Sequence, residues 1–200
     1  MTEFLTQGGF LVWPIAVCSI IALGVFLERL WSLQRSRIIP DVFLKRIETL
    51  IGEQRIKDAL LLCQETENPM ARVMAAALRN AEKERGRIKE SVEEVGKIEG
   101  SYLERYVEVV GTIAAISPLL GLLGTVFGMI KVFQRVEQYG LGDPAQFANG
   151  IWEALITTAV GLSVAIPAFI FYKILLSRVS TLLVEMEDRS LKMIDLVAGD

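Results

Sequence analysis

Three stretches of the chain contain no Asp, Glu, Lys or Arg: residues 4–27, 109–130 and 154–172. Each is about 19 residues or longer, and a helix rising about 1.5 Å per residue crosses roughly 30 Å of hydrocarbon in that length. The pattern predicts three membrane-spanning helices. Between the first and second, charges return and apolar positions recur every three or four residues. Val42, Phe43, Ile47, Leu50 and Ile51 predict an amphipathic helix entered after Pro40 and Asp41 and broken at Gly52. Ile56, Ala59, Leu60 and Cys63 predict a second. Asn68 followed by Pro69 is a cap followed by a first helical residue, so a third helix starts there. Its apolar face is Met70, Val73, Met74, Ala77, Leu78 and Ala81. No strong breaker follows, and Glu93 and Lys97 stand at the favourable four-residue spacing, so one helix is predicted over 69–102 and on into the second span. The Gly140 to Pro144 sequence GLGDP predicts a turn. Beyond the third span, Leu182, Leu183, Met186, Leu191 and Ile194 give a helical tail one apolar face.

The predicted fold is an all-α membrane protein whose long helices extend into the cytoplasm. Its segments are 1–31 (outer N-terminus and first span), 32–107 (cytoplasmic helical region), 108–131 (second span), 132–152 (short outer connection), 153–173 (third span) and 174–200 (cytoplasmic tail). Arg29, Arg35, Arg37, Lys45 and Arg46 follow the first span and no positive residue precedes it, which places the N-terminus outside by the positive-inside rule. Lys131 and Arg135 fall on the outer side and oppose this orientation, but they are outnumbered. The start of the chain also lacks the basic head and small-residue cleavage site of a signal peptide. Trp13 and Trp31, near the two ends of the first span, read as headgroup anchors.

Composition narrows the function more than the fold. Hydrophobic residues make up 52% of the 200 and charged residues 22%, so the two kinds are segregated in blocks. A net charge of −3 with no basic stripe excludes nucleic acid as the expected partner. The chain has no His, hence neither the commonest general base nor the commonest metal ligand. No Gly-rich phosphate loop is present, and Cys18 and Cys63 are expected as free thiols. No catalytic residues, metal or cofactor are expected, and the protein is not expected to be an enzyme.

Candidate chemistry lies in the second and third spans. At helical spacing Gly111, Ala114, Pro118, Gly121, Thr125 and Gly128 share one face, with Gly124 beside it. Ala154, Thr158, Gly161, Ala165 and Ala168 repeat the device on the third span, which also carries Pro167. Small residues let helix backbones approach closely in lipid, where hydrophobicity drives association little, and Gly124 with Gly128 has the GxxxG spacing. Most of these positions are expected to serve helix packing alone. Thr125 and Thr158 each lie about five residues inside the outer end of antiparallel spans, roughly 7 to 8 Å deep, and predict a polar level. A membrane Thr commonly bonds its own backbone four residues back, which accounts for either residue equally well. Glu153 stands one turn further out on the face of Thr157, and spacing leaves both Thr157 and Thr158 open as the residue facing a pore. No span has an ionisable residue near its centre, although a proton relay through a membrane needs one. If protons move here, the carboxylate comes from another protein.

The segments ISPLLGLLGTVFGMI (116–130) and GIWEALITTAVGLSVAIPA (150–168) resemble the paired signature of the MotA/TolQ/ExbB proton-channel family, most closely its ExbB branch. The three spans and the large loop between the first two agree with that branch, whereas flagellar MotA stators have four spans. The resemblance implies an inner-membrane homo-oligomer, a pentamer, around a pore lined by the second and third spans. It implies a single-span ExbD-like partner carrying a membrane Asp, and a TonB-like protein that delivers the work of proton flow to outer-membrane transporters. Thr125, Thr158 and Glu153 are the motif-matched polar residues of the pore. A TolQ-like motor for envelope maintenance and division, and a membrane scaffold that moves no ions, are the alternatives.

Overall fold

The computed structural model describes residues 9–140 and 144–198, and every regular element among them is helical. The helices are α1 (Val12–Ser32), α2 (Arg35–Ile38), α3 (Asp41–Gly52), α4 (Ile56–Glu65), α5 (Pro69–Arg79), α6 (Arg85–Glu104), α7 (Val107–Tyr139) and α8 (Pro144–Ala198). Three of them, α1, α7 and α8, are long and apolar enough to cross a membrane. The chain divides into two compact units, one of residues up to Glu28 with 106–174, the other of 29–105 with the remainder from Leu175.

In the first unit α1, α7 and the first part of α8 pack through small residues. Ala22, Ile113, Ala114 and Ala168 form a buried cluster with Cys18 against it, and the rings of Phe26 and Phe171 stack at 4.0 Å. Large apolar side chains point outward instead: Trp13, Ile20, Leu119, Phe133 and Ile166 are all exposed. A surface of this kind suits lipid, where outward Leu and Ile cost nothing. Residues 1–8, and with them the predicted outer N-terminal segment, lie outside the described residues.

The second unit has the opposite arrangement, with large side chains inside. Successive helices α3, α4, α5 and α6 pack on one another. The centre is α5, whose Met70, Ala71 and every residue from Val73 to Leu78 are buried. Its start follows the sequence expectation: Pro69 opens the helix and the Asn68 side-chain oxygen accepts from the Ala71 amide at 2.7 Å. Leu175, Val179, Leu182, Met186, Met193 and Ile194 from the end of α8 are buried in the same unit. Arg72 reaches from α5 to Glu99 on α6 in a two-pronged pair, with Nε to Oε1 at 2.5 Å and Nη2 to Oε2 at 2.6 Å. Glu99 is only 4% exposed, so the pair satisfies a charge that burial would otherwise penalise. Arg35 similarly grips Asp41 on α3 and Glu185 on α8.

Three boundaries differ from the sequence expectation. The helix predicted over 69–102 stops at Arg79 and restarts at Arg85. Asn80 closes the first piece: its side-chain amide donates to the Ala76 carbonyl and to the Ser91 hydroxyl, so a polar side chain does what no Gly or Pro was there to do. A second interruption at Arg105 and Tyr106 is slight, because both keep backbone angles close to helical (φ −46°, ψ −45° and φ −92°, ψ −14°). Third, the connection over 132–152 is mostly helix. The second span continues as α7 to Tyr139, where Gly140 ends it at φ 74°, and α8 begins at Pro144 and runs unbroken through the third span into the tail. The turn predicted at GLGDP begins at this Gly140, and its residues 141–143 lie outside the described residues.

Candidate functional site

The second and third spans meet along a line of glycines that alternates between them. A methyl group on Gly161 would lie 2.7 Å from the Ser117 carbonyl oxygen, and one on Gly121 would lie 3.0 Å from the Thr158 Cα. A methyl on Gly124 would collide with the Thr157 side chain, and one on Gly128 would stand 2.7 Å from the Ala154 Cβ. Each glycine therefore faces a specific neighbour on the other helix, and together they fix the antiparallel register. Ala165 is buried along the same helix face, Pro118 is half-buried, and Pro167 is exposed.

This register places the hydroxyls. Thr158 donates across the interface to the Gly121 carbonyl at 2.9 Å. Thr157, 2% exposed, is buried and donates back to the Glu153 carbonyl at 2.9 Å. Thr125, partly exposed, donates to the Leu122 carbonyl at 2.6 Å. Sequence spacing leaves Thr157 and Thr158 equivalent; in the folded chain Thr157 is inside the two-helix interface, while Thr158 bridges it and remains partly accessible. The predicted common depth of Thr125 and Thr158 is off by about one turn, since Thr158 is opposite Gly121, four residues before Thr125. Depth counted from the first charged residue of each span misleads here, because the helices pack by their glycines.

Glu153 occupies the end of the interface nearest the connection between α7 and α8, where the Lys131 ammonium is 3.2 Å from its Oε1. In the sequence Lys131 is only a charge that opposes the predicted topology. Its pairing requires the register, because 22 residues separate the two. Two further polar features escape the sequence pattern. Ser117 is fully buried on α7 and donates to the Ile113 carbonyl at 2.7 Å. At the other end of the interface the Tyr172 ring lies over Gly111, close enough that a methyl there would be 2.8 Å from it, and the phenol lies 3.4 Å from Glu108. The glycine on the predicted small face is the one signal for that slot.

The family model of the MotA/TolQ/ExbB proton channel family matches residues 65–188, which include all of this interface. The chain belongs to that family. Among MotA/TolQ/ExbB proteins it lies close to the ExbB members. It is 33% identical over 185 residues to the putative biopolymer transport protein ExbB-like 1 of Synechocystis sp., an alignment covering 88% of this chain and 70% of that protein. It is 37% identical over 101 residues to the biopolymer transport protein ExbB of Salmonella typhimurium, covering 50% of this chain and 41% of the other. The Tol-Pal system protein TolQ of Haemophilus influenzae is 41% identical over 80 residues, covering 40% and 35%. These matches support a proton-channel role in energising work at a membrane.

Proposed function

We propose that this chain is the ring-forming, non-enzymatic subunit of a proton-driven motor in the bacterial inner membrane, with its N-terminus outside and its C-terminus in the cytoplasm. In this reading several copies, a pentamer, enclose an ExbD-like single-span partner whose membrane Asp takes and releases the proton. A TonB-like protein then carries the work to outer-membrane transporters. The observation that carries the reading is the Thr158 hydroxyl, held against the Gly121 carbonyl in a stretch of helix otherwise free of charge. A hydroxyl both accepts and donates, so it can pass a proton between waters without itself holding charge. The Asp-bearing partner supplies the group that titrates. Glu153 stands at the outer end as a proton acceptor, Thr157 and Thr125 supply the neighbouring hydroxyls, and the glycines keep the wall rigid.

Thr158→Val and Thr125→Val should each abolish energy-dependent uptake through outer-membrane transporters while leaving a folded oligomer. Full uptake in both variants would overturn the threonine assignment. The second reading is a TolQ-type motor, favoured by the match to the TolQ protein of Haemophilus influenzae. Deletion that leaves uptake intact but causes detergent sensitivity and chained cells would select it.

A further inference from the structure

A cavity of about 310 Å³ opens between α7 and α8 at the end nearest their connection, the outer mouth in the reading above. Gly124, Gly128 and Thr157 contribute to its lining alongside Lys131, Gln134 and Glu153. Its lining includes the Lys131 ammonium, a charged group that the proposed proton path does not use. That ammonium pairs with Glu153 Oε1 at 3.2 Å. The backbone at Gly9 also crowds this oxygen, since a methyl on Gly9 would lie 2.6 Å from it. One face of the carboxylate is thus occupied by a cation and by chain.

We propose that Lys131 is an ion-selectivity residue: it neutralises Glu153 at the outer mouth so that sodium and other monovalent metal cations find no site there while protons pass. The inference rests on the proton-driven reading above. A sodium ion gives up hydration water only for several oxygen ligands and net negative charge, and the Glu153 carboxylate that lines this cavity is already compensated by Lys131. A proton needs no such cage. It moves by exchange along hydrogen bonds, so each proton taken up by water or carboxylate at the mouth is matched by one released to the next acceptor, and Glu153 returns to its paired state. Without Lys131 the carboxylate faces the cavity uncompensated, with the Gln134 amide oxygen nearby to complete a cation site.

The test uses the full chain with its own membrane partner in vesicles. Proton flux under an imposed pH gradient is compared in sodium chloride and in choline chloride. The sodium-to-choline flux ratio should stay near one for the wild type and for Lys131→Arg, and should fall roughly tenfold for Lys131→Met as sodium occupies the mouth. Thermal unfolding of the same complexes in lipid nanodiscs gives a readout independent of flux. Sodium should raise the melting temperature of Lys131→Met, leave the wild type unchanged, and lose its effect when Glu153→Gln is added. A ratio near one together with sodium-independent melting in Lys131→Met, or a wild type already slowed by sodium, would overturn the proposal. A wild type without proton flux in either salt would refute the proton-driven reading instead, and the melting experiment would still decide whether Lys131 excludes sodium.

Discussion

The two units of this chain hold themselves together by opposite means. In the spanning unit glycine, alanine and threonine make the closest contacts between α7 and α8, and many large side chains face outward. In the other unit Ile, Leu and Met fill the interior, and guanidinium–carboxylate pairs tie helices together. The difference follows from the solvent. Water rewards burying large apolar surface, at about 25 cal/mol per Å². Lipid does not, so only close backbone approach and internal hydrogen bonds are left to organise the spans. Gly121, Gly124, Gly128 and Gly161 are consequently contacts in the spanning unit, whereas Gly52, Gly86 and Gly96 in the other meet nothing within 4 Å.

The largest expected effect sharpens that contrast. Gly161→Val presses a branched side chain against the Ser117 carbonyl, a backbone atom that cannot rotate away. It should destabilise the spans by about 3 kcal/mol or more and disperse the oligomer in size-exclusion chromatography. Gly96→Ala on α6, where a methyl meets nothing within 4 Å, should instead stabilise by roughly 0.5 to 1 kcal/mol in thermal unfolding. Equal effects of the two changes would erase the distinction between the units.

Next in size is Arg72→Met, which leaves the Glu99 carboxylate buried without its guanidinium. The expected loss is about 2 to 3 kcal/mol, below the full range for buried pairs because the Arg72 side chain is itself half-exposed. Glu99→Gln in the same background should recover part of it. Failure of that second change to recover stability would mean that Arg72 acts through packing and not through charge.

How much of this was legible in the sequence depends on the scale. The spans were legible because an uncharged run of that length matches the thickness of a bilayer: α7 and α8 include the second and third runs, and α1 holds the first from Val12 onward. The small faces were legible because helical periodicity is local. Thr158 on Gly121 and Lys131 beside Glu153 were not, because the register of two antiparallel helices depends on which glycine meets which residue. The break after Arg79 was hidden for another reason: Asn80 ends the helix through its side chain, in a segment with neither proline nor glycine.

Thr158→Val tests the interface at a smaller energy. Loss of one interhelical hydrogen bond in lipid should cost only about 0.6 to 2 kcal/mol, so the oligomer persists while energy-dependent work is lost. Dissociation of the oligomer by this variant would recast the hydroxyl as structural.

The smallest effects belong to Cys63 and Asp41 of the second unit. Burial pushes the Cys63 thiol up to about 12, so alkylation at pH 8 followed by mass spectrometry should label it only after unfolding. Hydrogen bonds from Arg35 hold the Asp41 carboxyl below its usual range. Its contribution is fully present above the ordinary value near 3.9 and is lost as pH falls through the lowered folded value. Asp41→Asn should remove that part of the acid sensitivity of unfolding; an unchanged acid limb would show that the clamp adds nothing.

The central claim is that the glycine-packed spans work as a ring around an acidic partner, and native mass spectrometry of the complex drawn from its own membrane tests it most directly. The expected result is several copies of this chain, in a pentamer, bound to a single-span protein that carries an Asp in its span. A solitary monomer, or a ring of this chain with no such partner, would contradict it.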